Sequence, residues 1–278
     1  MDEVLDYAAV CAGLETLYRT GGILPRAIGR TALGRAVFAL DFGKRTPRAL
    51  LLGGICGDGA TSRLLLSFLE VLLSHRREGV PFFGVDPACV LNNCGVTVIP
   101  CLNPDGLEVA AHGPDAAGVL RRFVRPLLRA DTQWQANAQG VDLRHQFSAG
   151  FERWRESGEQ SPAAAGFGGE QPQSEAESRA LAVLCRKQRF RHALLLQPGE
   201  AGLWFHPPQN APAVPLAAKL LAQELFVSPQ RASEADGGFP FWFSETFRRP
   251  AYTIQTGKGT SPLPEKMLSS CLLLTLLL

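Results

Sequence analysis

Short apolar runs alternating with longer stretches of helical periodicity are the feature that most limits what this chain can become. Residues 35–42, 49–55, 96–102, 193–197 and 251–256 read as strands. Between them lie predicted helices: one from Thr61 or Ser62, a good N-cap pair, to about Ser74, then 117–129, 175–187, 214–226, and a last one from about Pro264. Strands and helices in this alternation form a sheet covered by helices. Leucines occupy most of the circumference of the first helix, so it is expected to be well buried. Gly57, Asp58 and Gly59 turn the chain into that helix, and Asn103-Pro104-Asp105-Gly106 is a strong turn signal. Residues 157–173, rich in Gly, Pro, Ser and Gln, predict a long surface loop. The α/β pattern resumes after it, so it reads as an ordered excursion, and the expectation is one domain over 1–278.

Composition narrows the function classes. With 46% hydrophobic and 19% charged residues the chain can bury a real core. The net charge of +2, from 28 basic and 26 acidic residues, gives no electrostatic case for nucleic acid or an anionic membrane surface. The seven cysteines fall at 11, 56, 89, 94, 101, 185 and 271, without zinc-ribbon or Cys-x-x-Cys spacing, which points to reduced, mostly buried thiols and a cytoplasmic location. The acidic N-terminus lacks the basic and apolar regions of a secretory signal. The run from Cys271 to Leu278 is too short to span a bilayer and reads as the end of a buried helix.

Five segments carry a resemblance. Ile28-Gly29-Arg30-Thr31-Ala32-Leu33-Gly34-Arg35 is like an entry to the first strands. Leu102-Asn103-Pro104-Asp105-Gly106-Leu107-Glu108 holds an Asn-Pro-Asp-Gly motif. Ala136-Asn137-Ala138-Gln139-Gly140-Val141-Asp142-Leu143 runs up to the basic pair Arg144-His145. Gln173-Ser174-Glu175-Ala176-Glu177 is a Ser-Glu-x-Glu helix start, and Thr253-Ile254-Gln255-Thr256-Gly257-Lys258-Gly259 is a strand end that runs into a Gly-Lys-Gly loop. In this order the segments resemble the zinc carboxypeptidases, in particular the bacterial γ-D-glutamyl-diaminopimelate peptidases that cut peptidoglycan stem peptides. The resemblance implies a mixed, mostly parallel sheet with helices on both faces and a site at the carboxyl edge of the central strands.

It also implies a mechanism: zinc on two histidines and a glutamate, a metal-bound water, a glutamate base and an oxyanion-stabilising arginine. The His-x-x-Glu turn expected after the strand ending at Ile55 reads Cys56-Gly57-Asp58-Gly59, and glycine has no side chain to offer. The third ligand position falls on Leu196 or, shifted by one, on Gln197; leucine cannot ligate and glutamine is a poor zinc ligand. Gln255 stands at the base position, where a neutral amide cannot accept a proton, and Gln135, beside Trp134, falls at the oxyanion position. Arg144 and His145 replace the family's carboxylate-binding pair and still offer a cation for a peptide with a free carboxylate. The expectation is therefore a pseudo-peptidase without zinc or other cofactor, with a possible peptide ligand, no nucleic acid and no membrane.

Other residues compete for a role. Cys56, between a strand and a helix start, could be a helix-activated thiolate with His145 across the pocket, giving a cysteine-based hydrolase or a rebuilt metal site acting on the same peptides. Simple loss, with Cys56 a small buried hydrophobe, is the favoured reading. His75-Arg76-Arg77-Glu78 is formally His-x-x-Glu but lies among charges at a helix end, where a solvated terminus is expected. His112, His192 and His206 read as isolated, satisfied or surface histidines.

Overall fold

The computed structural model describes residues 5–43, 46, 48–128, 133–208, 214–232, 238–257 and 262–278. In chain order the elements are α1 (Tyr7–Gly21), β1 (Arg26–Arg30), β2 (Ala36–Phe42), β3 (Arg48–Leu52), α2 (Gly59–Glu78), α3 (Pro87–Asn93), β4 (Val96–Ile99), α4 (Pro104–His112) and α5 (Arg121–Val124). The second half contributes α6 (Phe151–Ser157), α7 (Ala176–Lys187), β5 (Phe190–Gln197), β6 (Gly199–His206), α8 (Leu216–Glu224), β7 (Pro229–Arg231), α9 (Phe239–Phe247), β8 (Ala251–Gly257) and α10 (Glu265–Leu277).

The strands form one eight-stranded sheet in the order β1-β2-β4-β3-β5-β8-β6-β7. Four of its seven pairings are parallel, so the sheet is mixed and mostly parallel as expected. Strand alternation sends Ala49, Leu51, Leu194, Leu196, Tyr252 and Ile254 to one face, where α1, α2, α3, α8 and α10 pack. Leu50, Leu52, Ala193, Leu195 and Ala251 go to the other, against α7 and α9. The leucine-rich α2 is buried on its Leu64, Leu65, Leu69, Leu72 and Leu73 positions, and α10 buries Cys271, Leu272, Leu273 and Leu276.

Several expectations change. Helix α2 is capped by Asp58, whose carboxylate accepts from the Ala60 and Thr61 amides, and neither Thr61 nor Ser62 is the cap. Thr61 Oγ1 instead accepts from Gly54 N at 3.0 Å, fixing the loop before the helix. Asn103-Pro104-Asp105-Gly106 does not end in a turn: Asn103 caps α4 by accepting from Gly106 N at 2.9 Å, and Pro104 sits in its first turn, where a missing N–H costs nothing. The helix expected over 117–129 is broken into two 3₁₀ turns flanking the four-residue α5, because Gly118 adopts φ 53° and Pro126 interrupts the ladder; residue 129 lies outside the described residues. Elements α1, β1, α3, α4, α6, β6, β7 and α9 had no counterpart in the sequence reading. No described helix is long and apolar enough to cross a membrane.

Candidate functional site

Strands β3, β4, β5 and β8 run parallel and end together, and the loops leaving them carry the positions singled out from the sequence. The loop after β3 is zipped to the one after β4: Gly53 N donates to Ile99 O, Leu102 N to Gly53 O and Asn103 N to Gly54 O. This buries Cys56 to 2% exposure in the apolar cluster that also holds Leu143 and Phe147. Burial pushes its thiol up to about 12, although the Arg144 guanidinium pulls the other way. At neutral pH the group is therefore protonated, a poor nucleophile and a poor ligand. Three residues on, Gly59 opens α2. A Cβ there would lie 3.0 Å from Leu5 Cβ, 3.0 Å from Leu5 O and 3.2 Å from Leu5 Cδ2, so the N-terminal segment lies over the space a side chain would need.

At the end of β5 the sequence left two residues open, and their sides differ. Leu196 is fully buried in the cluster on the face opposite Cys56. Gln197, next in the alternation, shares the side of Leu195 and Cys56 and pairs with Gln255 of β8. The Gln255 side chain lies against Gly199, where a Cβ would come within 2.3 Å of its Oε1. The atoms offered at the positions that the sequence aligned with the family's zinc ligands and base are thus a protonated thiol, no side chain at 59 and neutral amides. That donor set does not fit a zinc ion, which takes thiolate, imidazole or carboxylate ligands.

Arg144 and His145 stand in a single 3₁₀ turn capped by Asp142. The Asp142 carboxylate, wholly buried, accepts from Arg144 Nε at 2.9 Å and Nη2 at 2.6 Å, and also from Gly166 N at 3.0 Å. Burial works against both charges, but the pairing outweighs it, holding Asp142 below the usual carboxylate range and Arg144 above the usual guanidinium range. Two of the guanidinium's nitrogens are thereby committed. The His145 ring stacks on Trp154 at 3.5 Å between centroids and 6° between planes. Trp154 Nε1 in turn donates to Gly166 O, so the loop over 157–173 is tied down as an ordered excursion. Gln135 is half-buried beside the buried Trp134, its backbone N–H donating to Ala164 O.

A cleft of about 590 Å³ near these loops is lined by Leu5, Gly57, Asp58, Gly59, Gln133 and Thr256 among others. Of the candidate ligand, base, oxyanion and carboxylate-binding positions, only Gly59 is in this lining. The structure thus gathers Cys56 with Arg144 and Gln197 with Gln255, but it does not present them together in one cavity. A buried acid went unnoticed in the sequence. Glu177, 1% exposed in the first turn of α7, has neither oxygen in a full hydrogen bond, and the Asn137 amide near it donates to Glu175 at 2.7 Å. Burial, reinforced by Glu175 and Asp105, pushes its carboxyl up to about 8. Its even spacing from Glu175 in the Ser-Glu-x-Glu segment was visible, but its inward direction was not.

A family model described as zinc carboxypeptidase matches residues 25–265. The gamma-D-glutamyl-L-diamino acid endopeptidase 1 of Lysinibacillus sphaericus is 28% identical over 246 residues, which are 85% of this chain and 61% of that protein. The chain therefore spans about three-fifths of that relative's length. Among solved structures, carboxypeptidase A of Helicoverpa armigera superposes with a TM-score of 0.70 at 15% identity, over 99% of this chain and 74% of that one. The murein-tripeptide amidase MpaA of Escherichia coli O157 gives 0.55 at 20% identity, over 91% and 89%. At these identities the structures speak to the fold alone.

Proposed function

The chain belongs to the zinc carboxypeptidase family, and we propose that within it this protein is a non-catalytic member, without the family's zinc or its hydrolytic chemistry. The observation that carries this reading is Gly59: the position has no side chain, and Leu5 lies over the space one would fill. The protonated Cys56 and the neutral Gln255 support it, because neither can activate a water.

The ligand in this reading is a peptide with a free carboxylate, of the kind its peptidoglycan-processing relatives act on. Asp142 occupies the Nε–Nη2 edge of Arg144, whose side chain is 25% exposed, and the Nη1 side is left for a second carboxylate. Replacing Arg144 by alanine would strand a buried Asp142, so Arg144→Lys is the cleaner probe of that contact.

The test is hydrolysis of a γ-D-glutamyl-diaminopimelate peptide with zinc in excess, by the native protein, Cys56→Ala and Gln255→Glu. All three are expected to give no turnover. A base without a metal-bound water has little to act on, so Gln255→Glu restores nothing. Turnover by the native protein that disappears in Cys56→Ala would overturn the proposal, and so would hydrolysis gained by Gln255→Glu alone.

A further inference from the structure

We propose that Asp6, Glu108 and His112 form a binding site for one divalent transition-metal ion, away from the position where the family carries zinc. One ligand atom from each residue lies within 4.8 Å of the others, and this is the one such grouping of three among the described residues. Helix α4 puts Glu108 and His112 four residues apart, hence on one face, the spacing at which two side chains of a helix share a ligand. Asp6 comes from the far end of the sequence, delivered by its place at the N-cap of α1.

The two carboxylates are already oriented. Asp6 Oδ1 accepts from Ala9 N at 2.9 Å, and Glu108 Oε1 accepts from Tyr7 N at 2.8 Å. Backbone donors of this kind act as an outer shell that fixes a ligand's direction. Asp6 Oδ2 is left facing His112 Nε2 at 3.0 Å, a contact that an ion would replace by bonds to both atoms. The cation facing the cluster is Arg35, whose Nη2 is 3.4 Å from Glu108 Oε2, while its Nη1 is held more closely by Asp105 at 2.8 Å. The His112 side chain is 46% exposed, so an ion can enter from solvent.

One imidazole with two carboxylates suits Zn²⁺, Co²⁺ or Mn²⁺ better than Ca²⁺, which takes six to eight oxygens. Three protein ligands leave the remaining positions to water. A bound ion would clamp the first turn of α1 to α4, two elements about a hundred residues apart in the chain.

Equilibrium dialysis with Zn²⁺ and the visible absorption of added Co²⁺ test the site directly. The native protein is expected to bind one ion per chain saturably, with Cys56→Ala unchanged. His112→Ala and Glu108→Gln each weaken binding at least about tenfold, since even an outer-shell partner is worth that much. Far-UV circular dichroism checks that these variants keep the fold, which the exposure of His112 favours. Absence of saturable binding by the native protein, or equal binding by His112→Ala, overturns the proposal. An ion lost in Cys56→Ala but kept in His112→Ala would sit at the former family position and would overturn the non-catalytic reading as well.

Discussion

Single residues on this scaffold are governed by burial more than by their place in a motif. Cys56 looks activated in the sequence, with a helix start behind it and a basic pair downstream, yet desolvation leaves it a thiol. Glu177 looks like an ordinary acid in the first turn of a helix, yet its carboxyl titrates near 8 against an ordinary 4.5. The folded state then holds a proton that the unfolded chain has released, so the contribution of Glu177 to stability is full below about pH 4.5 and is lost as pH rises to about 8 and beyond. Glu177→Gln should remove that loss. The variant is expected to match the native protein at pH 4 and to exceed it at pH 9 by on the order of a few kcal/mol, read by urea denaturation at both pH values. A variant less stable than the native protein at pH 9 would mean that the ionised carboxylate has a partner there.

At the scale of elements, the strands of the parallel centre were legible because 49–55 and 193–196 are apolar runs, as doubly covered strands are, and 251–256 is rich in the aromatic and β-branched residues Tyr252, Thr253, Ile254 and Thr256. Strands β1, β6 and β7 were not, because Arg26–Arg30 and Pro229–Arg231 are short and polar and β6 interleaves Gly, Glu and His with its apolar residues. Turn signals misled where they double as helix starts, as at Asn103. That side chain caps α4 and also donates to Ala136 O at 3.1 Å from a fully buried position, joining the loop after β4 to the segment carrying Gln135. Asn103→Ala loses the cap and strands a carbonyl, so it should cost about 2–4 kcal/mol in urea denaturation. A loss no larger than an exposed cap's ~1 kcal/mol would show that Ala136 O finds another donor.

Across the whole molecule, the order of five weak motifs identified the architecture, because order reflects topology and topology outlasts side chains. The candidate site was legible as a list of positions but not as a place. Strand alternation puts Leu196 and Gln197 on opposite faces, but nothing in the sequence indicated which of them shares the side of Cys56, that Asp142 occupies Arg144, or that Leu5 reaches position 59. That last contact predicts a coupling between two distant sites. Gly59→Glu should destabilise the native protein by about 1–3 kcal/mol through overpacking, and by less in a Leu5→Ala background. The double-mutant cycle should return a coupling of roughly 1 kcal/mol; additivity within about 0.3 kcal/mol would show that Leu5 yields freely.

Leu5 over Gly59 also bears on what it would take to build a metal ligand at that position. In the non-catalytic reading, a carboxylate introduced at 59 would have to displace Leu5, whose Cβ and carbonyl oxygen stand 3.0 Å from where the new Cβ would lie and whose side chain packs on the apolar core. Packing would then work as a ratchet: the first step toward a ligand would be uphill in stability before it formed a single bond to a metal, and the segment carrying Leu5 would have to move first.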